Sequence, residues 1–561
     1  MAEPARSDNR PLSQECAGLS AGQCSLPRLP GLTKEMQTVN LGMYIARSAR
    51  FWPERPAVLF RDGALSYRAL EERSNRLAHA LNALGLKRGD RVAVVSPNRP
   101  EIVELECALY KAGLVKVALN ARLAPQELAD ALANAEPIAC LAGPEHRAMV
   151  DEASAGVASL QHRIAFDPAA ADQERGWLSY EDLLARSPAS HVREDMQPDE
   201  LAVLHYTSGS TGKLKAAMQT VGNRMASLRK VTMGRMHAGP GDVLLLSGPI
   251  THASGMFIQP MLFQGATILL LEGFRPAEYL AAIEKHRVTM AFVVPAKIHA
   301  LLVEPSIRTR DLSSLRLLSY GAAPMSPARI REAWAAFGPV LAQGYGAGET
   351  TGGVVGLSIA DHARAIEGNR PELLSACGRP LCESDVQVLD DDGNPVSGDT
   401  IGEICVRGPD VFAGYWRAPE QTQVALDAQG WLRTGDLARV DEEGYIYIVD
   451  RKKEMLVSGG FNIYPSEIEA VLAQHPAVYE VCVVGVPDDH WGETVKAVVV
   501  LREGARAQDD EIMEFCRGRL ADFKRPRSVD FVPQLPKNGN GKLSRKDVRE
   551  HYWRGRERRV N

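Results

Sequence analysis

The sequence predicts an α/β fold of layered, largely parallel sheets, followed by a smaller α+β domain. Short apolar runs at residues 243–246, 268–271 and 290–294 alternate with helical segments, a pattern typical of buried parallel strands. After Gly378 the stretch DVQVLDDDGNPVSGDTIGEICVRG predicts two strands around a polar turn, and therefore a small β-rich subdomain. The 561 residues exceed the size of one ordinary core, so we expect more than one domain.

Three segments follow from this pattern. Residues 1–38 are rich in Pro, Ser and Gly and predict a flexible extension. Residues 39–450 form the large domain, which includes flanking helices and the β-rich subdomain. One of those helices, over LSYRALEERSNRLAHALNALG, would be capped by Ser66 and ended by Gly85. Residues 451–561 form a mobile α+β domain, and a charged cluster at 450–454 marks the boundary.

Composition and charge argue against several classes of function. Net charge is −5, and 24% of residues are charged, with acids and bases mixed along the chain. This does not suggest a nucleic-acid-binding protein, which usually shows a basic face. The nine cysteines form no C-x-x-C pair, which predicts buried free thiols in a reducing, cytoplasmic compartment. No apolar run reaches the length of a membrane span.

A glycine- and hydroxyl-rich loop, TSGSTGKLK at residues 207–215, lies between a predicted strand at 201–206 and a predicted helix at 223–232. Glycines allow backbone amides to turn towards an anion, and the hydroxyls of Ser and Thr add further donors. Lys213 and Lys215 supply positive charge. The loop lacks the Gly-Lys-Ser/Thr of common NTPase loops. It predicts a phosphate-binding site, with a polar surface loop as the alternative.

Five motifs in chain order resemble those of the acyl-adenylate-forming superfamily, which includes acyl-CoA synthetases, luciferases and the adenylation domains of peptide synthetases. The glycine-rich loop is the first, and SYGAAP, GYGAGETTG, GWLRTGDLARVDEEGYIYIVDRKKEMLVSGGFNIYPSEIE and PKNGNGKLSRKDVRE follow. The resemblance covers residues 40–550. This chain departs from the pattern at Leu214, Ala216 and Gly348, where proline, glycine and threonine are usual.

The resemblance implies two-step activation of a small-molecule carboxylic acid. The carboxylate attacks the α-phosphate of ATP to give an acyl-adenylate and pyrophosphate, and the acyl group then passes to CoA. ATP, Mg²⁺ and CoA are the implied cofactors. A stand-alone adenylating enzyme that hands its product to a carrier protein or to a separate thiolation enzyme remains the alternative. Association as a homodimer also remains open.

The resemblance assigns roles to individual residues. Lys542 would bridge the carboxylate and the α-phosphate. Glu349 would hold Mg²⁺, and His252 would line the acyl site. These three residues and Lys215 are the expected catalytic residues. Tyr345 would pack on the adenine, and Asp436 would accept the ribose hydroxyls. The full nucleotide-binding set is Thr207, Ser208, Gly209, Ser210, Thr211, Gly212, Lys215, Gly321, Ala322, Ala323, Gly344, Tyr345, Gly346, Glu349, Thr350, Asp436, Arg451 and Lys542.

Domain movement is also implied. Lys453 occupies the family's hinge position, from which the C-terminal domain would rotate after adenylation. That rotation would withdraw Lys542 and bring in Gly459 and Gly460, which would border the pantetheine tunnel because glycine permits close approach.

Gly348 stands where the superfamily has a threonine whose hydroxyl holds the α-phosphate. Loss of a hydrogen bond to a charged group costs about 1.5–3 kcal/mol, and water or the hydroxyls of Thr350 and Thr351 are the candidate substitutes. Small residues around the expected acyl site, including Gly321 and Gly346, also suggest open space. They predict a bulky acid: aryl, polycyclic or medium/long chain.

Overall fold

The computed structural model describes residues 39–167, 169, 172, 175–208, 214–458, 461–488, 492–537 and 543–554. The predicted flexible extension at 1–38 lies outside these residues.

The first sixteen strands belong to two large sheets. They are β1 (Pro56–Phe60), β2 (Gly63–Ser66), β3 (Arg91–Val95), β4 (Val115–Ala118), β5 (Ala139–Ala142), β6 (His162–Ala165), β7 (Trp177–Ser179), β8 (Leu201–Ser208), β9 (Leu214–Thr220), β10 (Val243–Leu246), β11 (Thr267–Leu270), β12 (Met290–Val293), β13 (Leu317–Gly321), β14 (Leu341–Ala347), β15 (Gly352–Leu357) and β16 (Arg379–Pro380). The strands that follow are β17 (Asp385–Leu389), β18 (Gly402–Arg407), β19 (Leu432–Val440), β20 (Ile446–Arg451), β21 (Leu456–Ser458), β22 (Phe461–Ile463), β23 (Val478–Asp488), β24 (Gly492–Leu501) and β25 (Ser528–Phe531).

Most helices lie between successive strands. They are α1 (Met43–Phe51), α2 (Tyr67–Ala83), α3 (Pro100–Ala112), α4 (Pro125–Ala135), α5 (Arg147–Ala153), α6 (Tyr180–Arg186), α7 (Val221–Lys230), α8 (Ile258–Phe263), α9 (Pro276–His286), α10 (Pro295–Val303), α11 (Pro327–Phe337), α12 (Ile359–Ile366), α13 (Pro419–Ala425), α14 (Pro465–Leu472), α15 (Asp509–Phe515) and α16 (Arg545–Trp553). Helix α2 begins where predicted, because the Ser66 hydroxyl accepts the Ala69 amide at 3.1 Å.

The predicted α/β class is confirmed. A nine-stranded sheet has the order β16-β15-β14-β13-β12-β10-β11-β1-β2, and a seven-stranded sheet has the order β7-β6-β5-β3-β4-β8-β9. Their central strands pair in parallel, as expected of strands joined by helical crossovers. The predicted β-rich subdomain is the antiparallel sheet β17-β18-β19-β20.

Helix α3 packs in one apolar cluster with strands of both large sheets, and every residue from 102 to 112 is buried. The burial includes charged side chains, and each has a partner. Glu104 accepts from Arg73 and Tyr180, Glu106 pairs with Lys116, and Lys111 pairs with Glu71 at 2.6 Å. Pairing matters because a buried charge left alone costs several kcal/mol.

The region predicted as the C-terminal α+β domain contains the two-stranded sheet β21-β22 and the three-stranded sheet β23-β24-β25. Helices α14 and α15 pack on one side of the larger sheet and α16 on the other. The domain boundary at 450–453 stays a prediction.

Two further sequence expectations can be compared with the structure. The seven cysteines in the described ranges are free, and all but Cys382 are buried, as the absence of C-x-x-C pairs predicted.

The glycine-rich loop was expected to join a strand to a helix, and this was wrong. Strand β9 intervenes, so the loop joins two antiparallel strands, β8 and β9.

Candidate active site

One face of the β8–β9 hairpin carries several of the predicted residues. His205 pairs with Ala217 and Thr207 with Lys215, and side chains directly opposite in an antiparallel pair share a face. Tyr206, between them, points to the other face, where its hydroxyl bonds the Ala131 carbonyl at 3.0 Å. Side chains 205, 207 and 215 therefore form one surface.

The tip of the hairpin, residues 209–213, lies outside the described residues. The predicted phosphate contacts of Gly209, Ser210, Thr211 and Gly212 therefore stay predictions, as does that of the Ser208 side chain. What the structure describes is the base of the hairpin, where Ser208 pairs with Leu214. The lysine predicted to bind phosphate, Lys215, is thereby fixed on a strand and not on the loop.

The nine-stranded sheet supplies the second wall, where β13 and β14 end side by side. Gly321 pairs with Gly344, and a Cβ at Gly321 would lie 2.2 Å from the Gly344 carbonyl oxygen. A Cβ at Gly346 would lie 2.0 Å from the Gly352 oxygen. These glycines allow backbone to approach backbone, and the interpretation that they leave room for the acid was wrong.

Two non-glycine residues beside this wall adopt left-handed backbone conformations. Ala322, in the predicted adenine segment with Ala323, has φ 66°, and Thr351 has φ 45°. Such conformations cost of the order of 1–3 kcal/mol each and are concentrated at functional sites. Strain at both loops is consistent with a binding function here.

Asp436 is the centre of a three-residue cluster. Tyr345 donates from its hydroxyl to Asp436 Oδ2 at 2.6 Å, and Arg451 Nε lies 3.0 Å from Asp436 Oδ1. Burial and the carboxylate raise the pKa of Tyr345 well above 10, so the phenol remains a donor. A carboxylate has lone pairs for further donors, so Asp436 can still accept ribose hydroxyls.

Glu349 and Lys215 are joined by a residue that the sequence reasoning missed, Tyr415. The Tyr415 hydroxyl donates to Glu349 Oε1 at 2.8 Å, and Lys215 Nζ lies 5.0 Å from the centroid of the Tyr415 ring, within range of a cation–π contact. Tyr415 also bridges to Ala217 of β9. No motif signals it, since it lies 66 residues from Glu349.

The described residues contain no group of three or more His, Cys, Asp or Glu side chains able to hold a metal ion. A lone carboxylate nevertheless suits Mg²⁺ that is bound chiefly through substrate phosphates and water. Glu349 Oε1 receives the Tyr415 hydroxyl, and its other oxygen is suited to such an ion.

His252 precedes a buried helical turn over Ala253–Phe257. Its Nδ1 lies 3.1 Å from the Thr251 hydroxyl, and its ring centroid lies 5.4 Å from that of His205. Burial and Lys116 lower the pKa of His252 to about 4. The imidazole is therefore neutral at neutral pH.

Thr350 does not serve the predicted role. Its hydroxyl accepts from the Ala347 amide at 2.9 Å and donates to the Gly352 carbonyl at 2.7 Å. The side chain is buried and stabilises the β14–β15 turn. It is therefore not available to replace the hydroxyl missing at Gly348 or to hold the nucleotide.

The predicted hinge follows directly on the Asp436 cluster. Desolvation by neighbouring groups and the charge of Arg451 lower the pKa of Lys453, although the residue is exposed. Asp450 accepts the amides of Arg451 and Ser466 at 2.7 and 2.9 Å, which ties β20 to helix α14. Lys542, Gly459 and Gly460 lie outside the described residues, so their roles stay predictions.

Comparison with known proteins places this site in a family. A family model described as AMP-binding enzyme matches residues 45–416, and one described as the AMP-binding enzyme C-terminal domain matches residues 467–542. The chain belongs to the AMP-binding enzyme family.

Relatives and solved structures cover nearly the whole chain. It is 39% identical to a feruloyl-CoA synthase from Amycolatopsis over 92% of this chain and 100% of the relative. It is 36% identical to a medium/long-chain-fatty-acid–CoA ligase of Mycobacterium tuberculosis over 90% and 89%. The structure resembles the amide bond synthetase McbA from Marinactinospora thermotolerans, with a TM-score of 0.81, 32% identity, and coverage of 92% and 100%.

The helices in the described ranges are at most 17 residues long. None combines the length and apolar character needed to cross a bilayer.

Proposed function

We propose that this chain is an ATP-dependent acyl-CoA synthetase, which converts a carboxylic acid to an acyl-adenylate and then to an acyl-CoA. The observation that carries the proposal is the cluster of Asp436, Tyr345 and Arg451. It provides acceptors for a ribose at the junction of β14, β19 and β20. Lys215 and Glu349 supply a cation and a metal ligand for the triphosphate.

The adenylation step requires two anions, carboxylate and triphosphate, to approach each other. Positioning and electrostatic stabilisation are what a protein can contribute to such a transfer. Lys215 Nζ and a Mg²⁺ held by Glu349 would neutralise the leaving pyrophosphate. Lys542 would bridge the carboxylate and the α-phosphate, because a lysine is a compact charge on a flexible stem.

The second step uses the C-terminal domain. Rotation about Lys453 would withdraw Lys542 and bring Gly459 and Gly460 to the site, where CoA would enter. His252 would line the acyl site, and because its imidazole is neutral it would present no charge to the acyl chain.

The acid is bulky, with an aromatic or medium/long aliphatic chain. The names of the relatives support this class, since one acts on a feruloyl group and another on medium- and long-chain fatty acids. Gly321 and Gly346 do not indicate the size of the acid, because backbone fills the space around them.

The other candidate is a stand-alone adenylating enzyme whose acyl-adenylate goes to an acceptor other than CoA, such as a carrier protein. The structural similarity to an amide bond synthetase favours this candidate.

Isotope exchange between pyrophosphate and ATP tests the first step and the acid class together. The purified chain is assayed with acetate, propionate, aryl acids and C8–C16 fatty acids. We expect exchange that depends on an aryl or longer-chain acid. Exchange with acetate or propionate in preference would refute the acid class, and no exchange with any acid would refute the function.

A further inference from the structure

The place of the missing threonine side chain is occupied by His205. A Cβ at Gly348 would lie 2.6 Å from His205 Cδ2, 2.9 Å from Thr207 Cγ2 and 3.3 Å from His205 Nε2. The backbone at 348 is not left-handed, so its conformation does not demand glycine. Glycine is required because the imidazole edge stands where a side chain would be.

The loop at Gly348 is also held against this face of the sheet. The Gln219 side chain, on the same face of β9, donates from Nε2 to the Gly348 carbonyl at 2.9 Å. The loop therefore cannot move away from His205 without loss of this hydrogen bond, which stabilises the close approach of Gly348 to His205.

His205 is only 7% exposed. Among the described residues, none forms a hydrogen bond with either of its ring nitrogens, and its close ring contact is with His252 at 5.4 Å. An imidazole nitrogen that bonds no protein group keeps its hydrogen-bonding capacity for a ligand. The imidazole edge that faces Gly348 is therefore suited to a polar group of a ligand.

Charges around the ring fix its protonation. Burial, His252, Arg224 and Lys116 lower the pKa of His205 well below 6.5, so the ring is neutral and offers one N–H donor. Lys116 and Arg224 share a single carboxylate, Glu106. The surroundings of the ring thus carry more positive than negative charge, which favours an anionic ligand.

We propose that His205 is a binding residue for the acyl-adenylate: its Nε2–H donates to the α-phosphate oxygen that the superfamily's threonine hydroxyl would hold. Gly348 accommodates the ring, because a side chain at 348 would collide with the imidazole edge. This inference rests on the proposed function.

The test changes positions 205 and 348 separately and together. The variants are His205→Ala, Gly348→Thr and the double variant, and the probe is a 5′-O-(N-acylsulfamoyl)adenosine bearing an acid that supports exchange. Calorimetry measures its affinity, and adenosine, which lacks the phosphate mimic, is the control ligand. Pyrophosphate exchange is measured in parallel.

Each single variant should bind the acylsulfamate roughly 10-fold or more weakly, the loss expected for one hydrogen bond to a charged group. Adenosine affinity should be unchanged within about 2-fold, because the change is confined to the phosphate side. The double variant should recover most of the affinity. Full affinity in His205→Ala, or a double variant as weak as the product of the singles, would overturn the inference.

Failure of the proposed function has a different signature. In that case the wild-type chain neither exchanges pyrophosphate nor binds the acylsulfamate, which overturns both claims. Wild-type binding with no effect of His205→Ala overturns only the inference about His205.

Discussion

Asp436 connects two parts of the site that are far apart in the sequence. Tyr345 is 91 residues away, and the two side chains meet although their strands, β14 and β19, belong to different sheets. A carboxylate with two engaged oxygens is held in one orientation, so it can accept ribose hydroxyls without reorganisation.

Asp436→Asn tests this residue directly. We expect a loss of about 1.5–3 kcal/mol in ATP-dependent exchange, roughly 10- to 150-fold, because hydrogen bonds to the charged group are lost. Asp391→Asn is the matched control, since the Asp391 side chain is 91% exposed and its ion pair, among the described residues, is with Lys452. Equal activity of the two variants would contradict the role of Asp436.

The lowered pKa of His252 predicts how the stability of the fold depends on pH. Its folded pKa is about 4 against an ordinary value of about 6.5. Between about pH 6.5 and pH 4 the imidazole is protonated in the unfolded chain but not in the folded chain. The free energy of unfolding therefore falls as the pH drops through that window. Histidine ¹³C NMR, with His252→Gln for assignment, should give a midpoint near 4; a midpoint above 6 would contradict the burial argument.

At the residue scale, the motifs predicted residues that the fold brings together in two groups. Asp436 and Arg451 form one group with Tyr345. Glu349 and Lys215 both contact Tyr415, and the roles of all four residues stay predictions. Tyr415 could not be found, because its role depends on the position of a loop from another element. His205 did leave a signal: a histidine inside the apolar run LAVLHY.

At the scale of elements, the β8–β9 hairpin and the β14–β15 turn form the two walls. Strand β9 was missed because LKAAMQT has neither clear alternation nor β-branched side chains before Thr220, and its pairing with β8 is what makes it a strand. The layered sheets could be predicted because their strands are short, apolar and separated by helices.

Gly346→Ala should destabilise the β14–β15 turn. The new methyl would lie 2.0 Å from the Gly352 oxygen, and overpacking of this kind costs roughly 1–3 kcal/mol. Thermal denaturation should show a fall in Tm of at least ~2 °C. Gly273→Ala is the control, because nothing lies within 4 Å of a Cβ there; an equal effect on both would exclude the close approach as the cause.

At the scale of the molecule, the site lies where three sheets meet, and the C-terminal region follows directly from the last strand of the third. Arg545, three residues beyond Lys542, bonds Glu469 at 2.7 and 2.8 Å and also Glu454. The segment that follows Lys542, the proposed catalytic lysine, is therefore anchored to helix α14 and to the segment after β20. Sequence identified that lysine by motif alone.

Lys542→Ala separates the two half-reactions. We expect pyrophosphate exchange to fall below detection, while transfer from a supplied acyl-adenylate to CoA stays within about 3-fold of wild type, because only adenylation needs the bridging charge. Lys537→Ala is the control, as Lys537 forms an ion pair with Glu480 that is open to solvent. Equal loss of both half-reactions in Lys542→Ala would contradict the two-step use of the site.

The central claim is that one chain activates an acid with ATP and joins it to CoA. The direct measurement is mass spectrometry of a reaction with ATP, Mg²⁺, CoA and an acid that supports exchange. We predict acyl-CoA and AMP in equal amounts, with both reduced together in Asp436→Asn. AMP and pyrophosphate without any acyl-CoA, for every acid that supports exchange, would contradict the claim and favour an acceptor other than CoA.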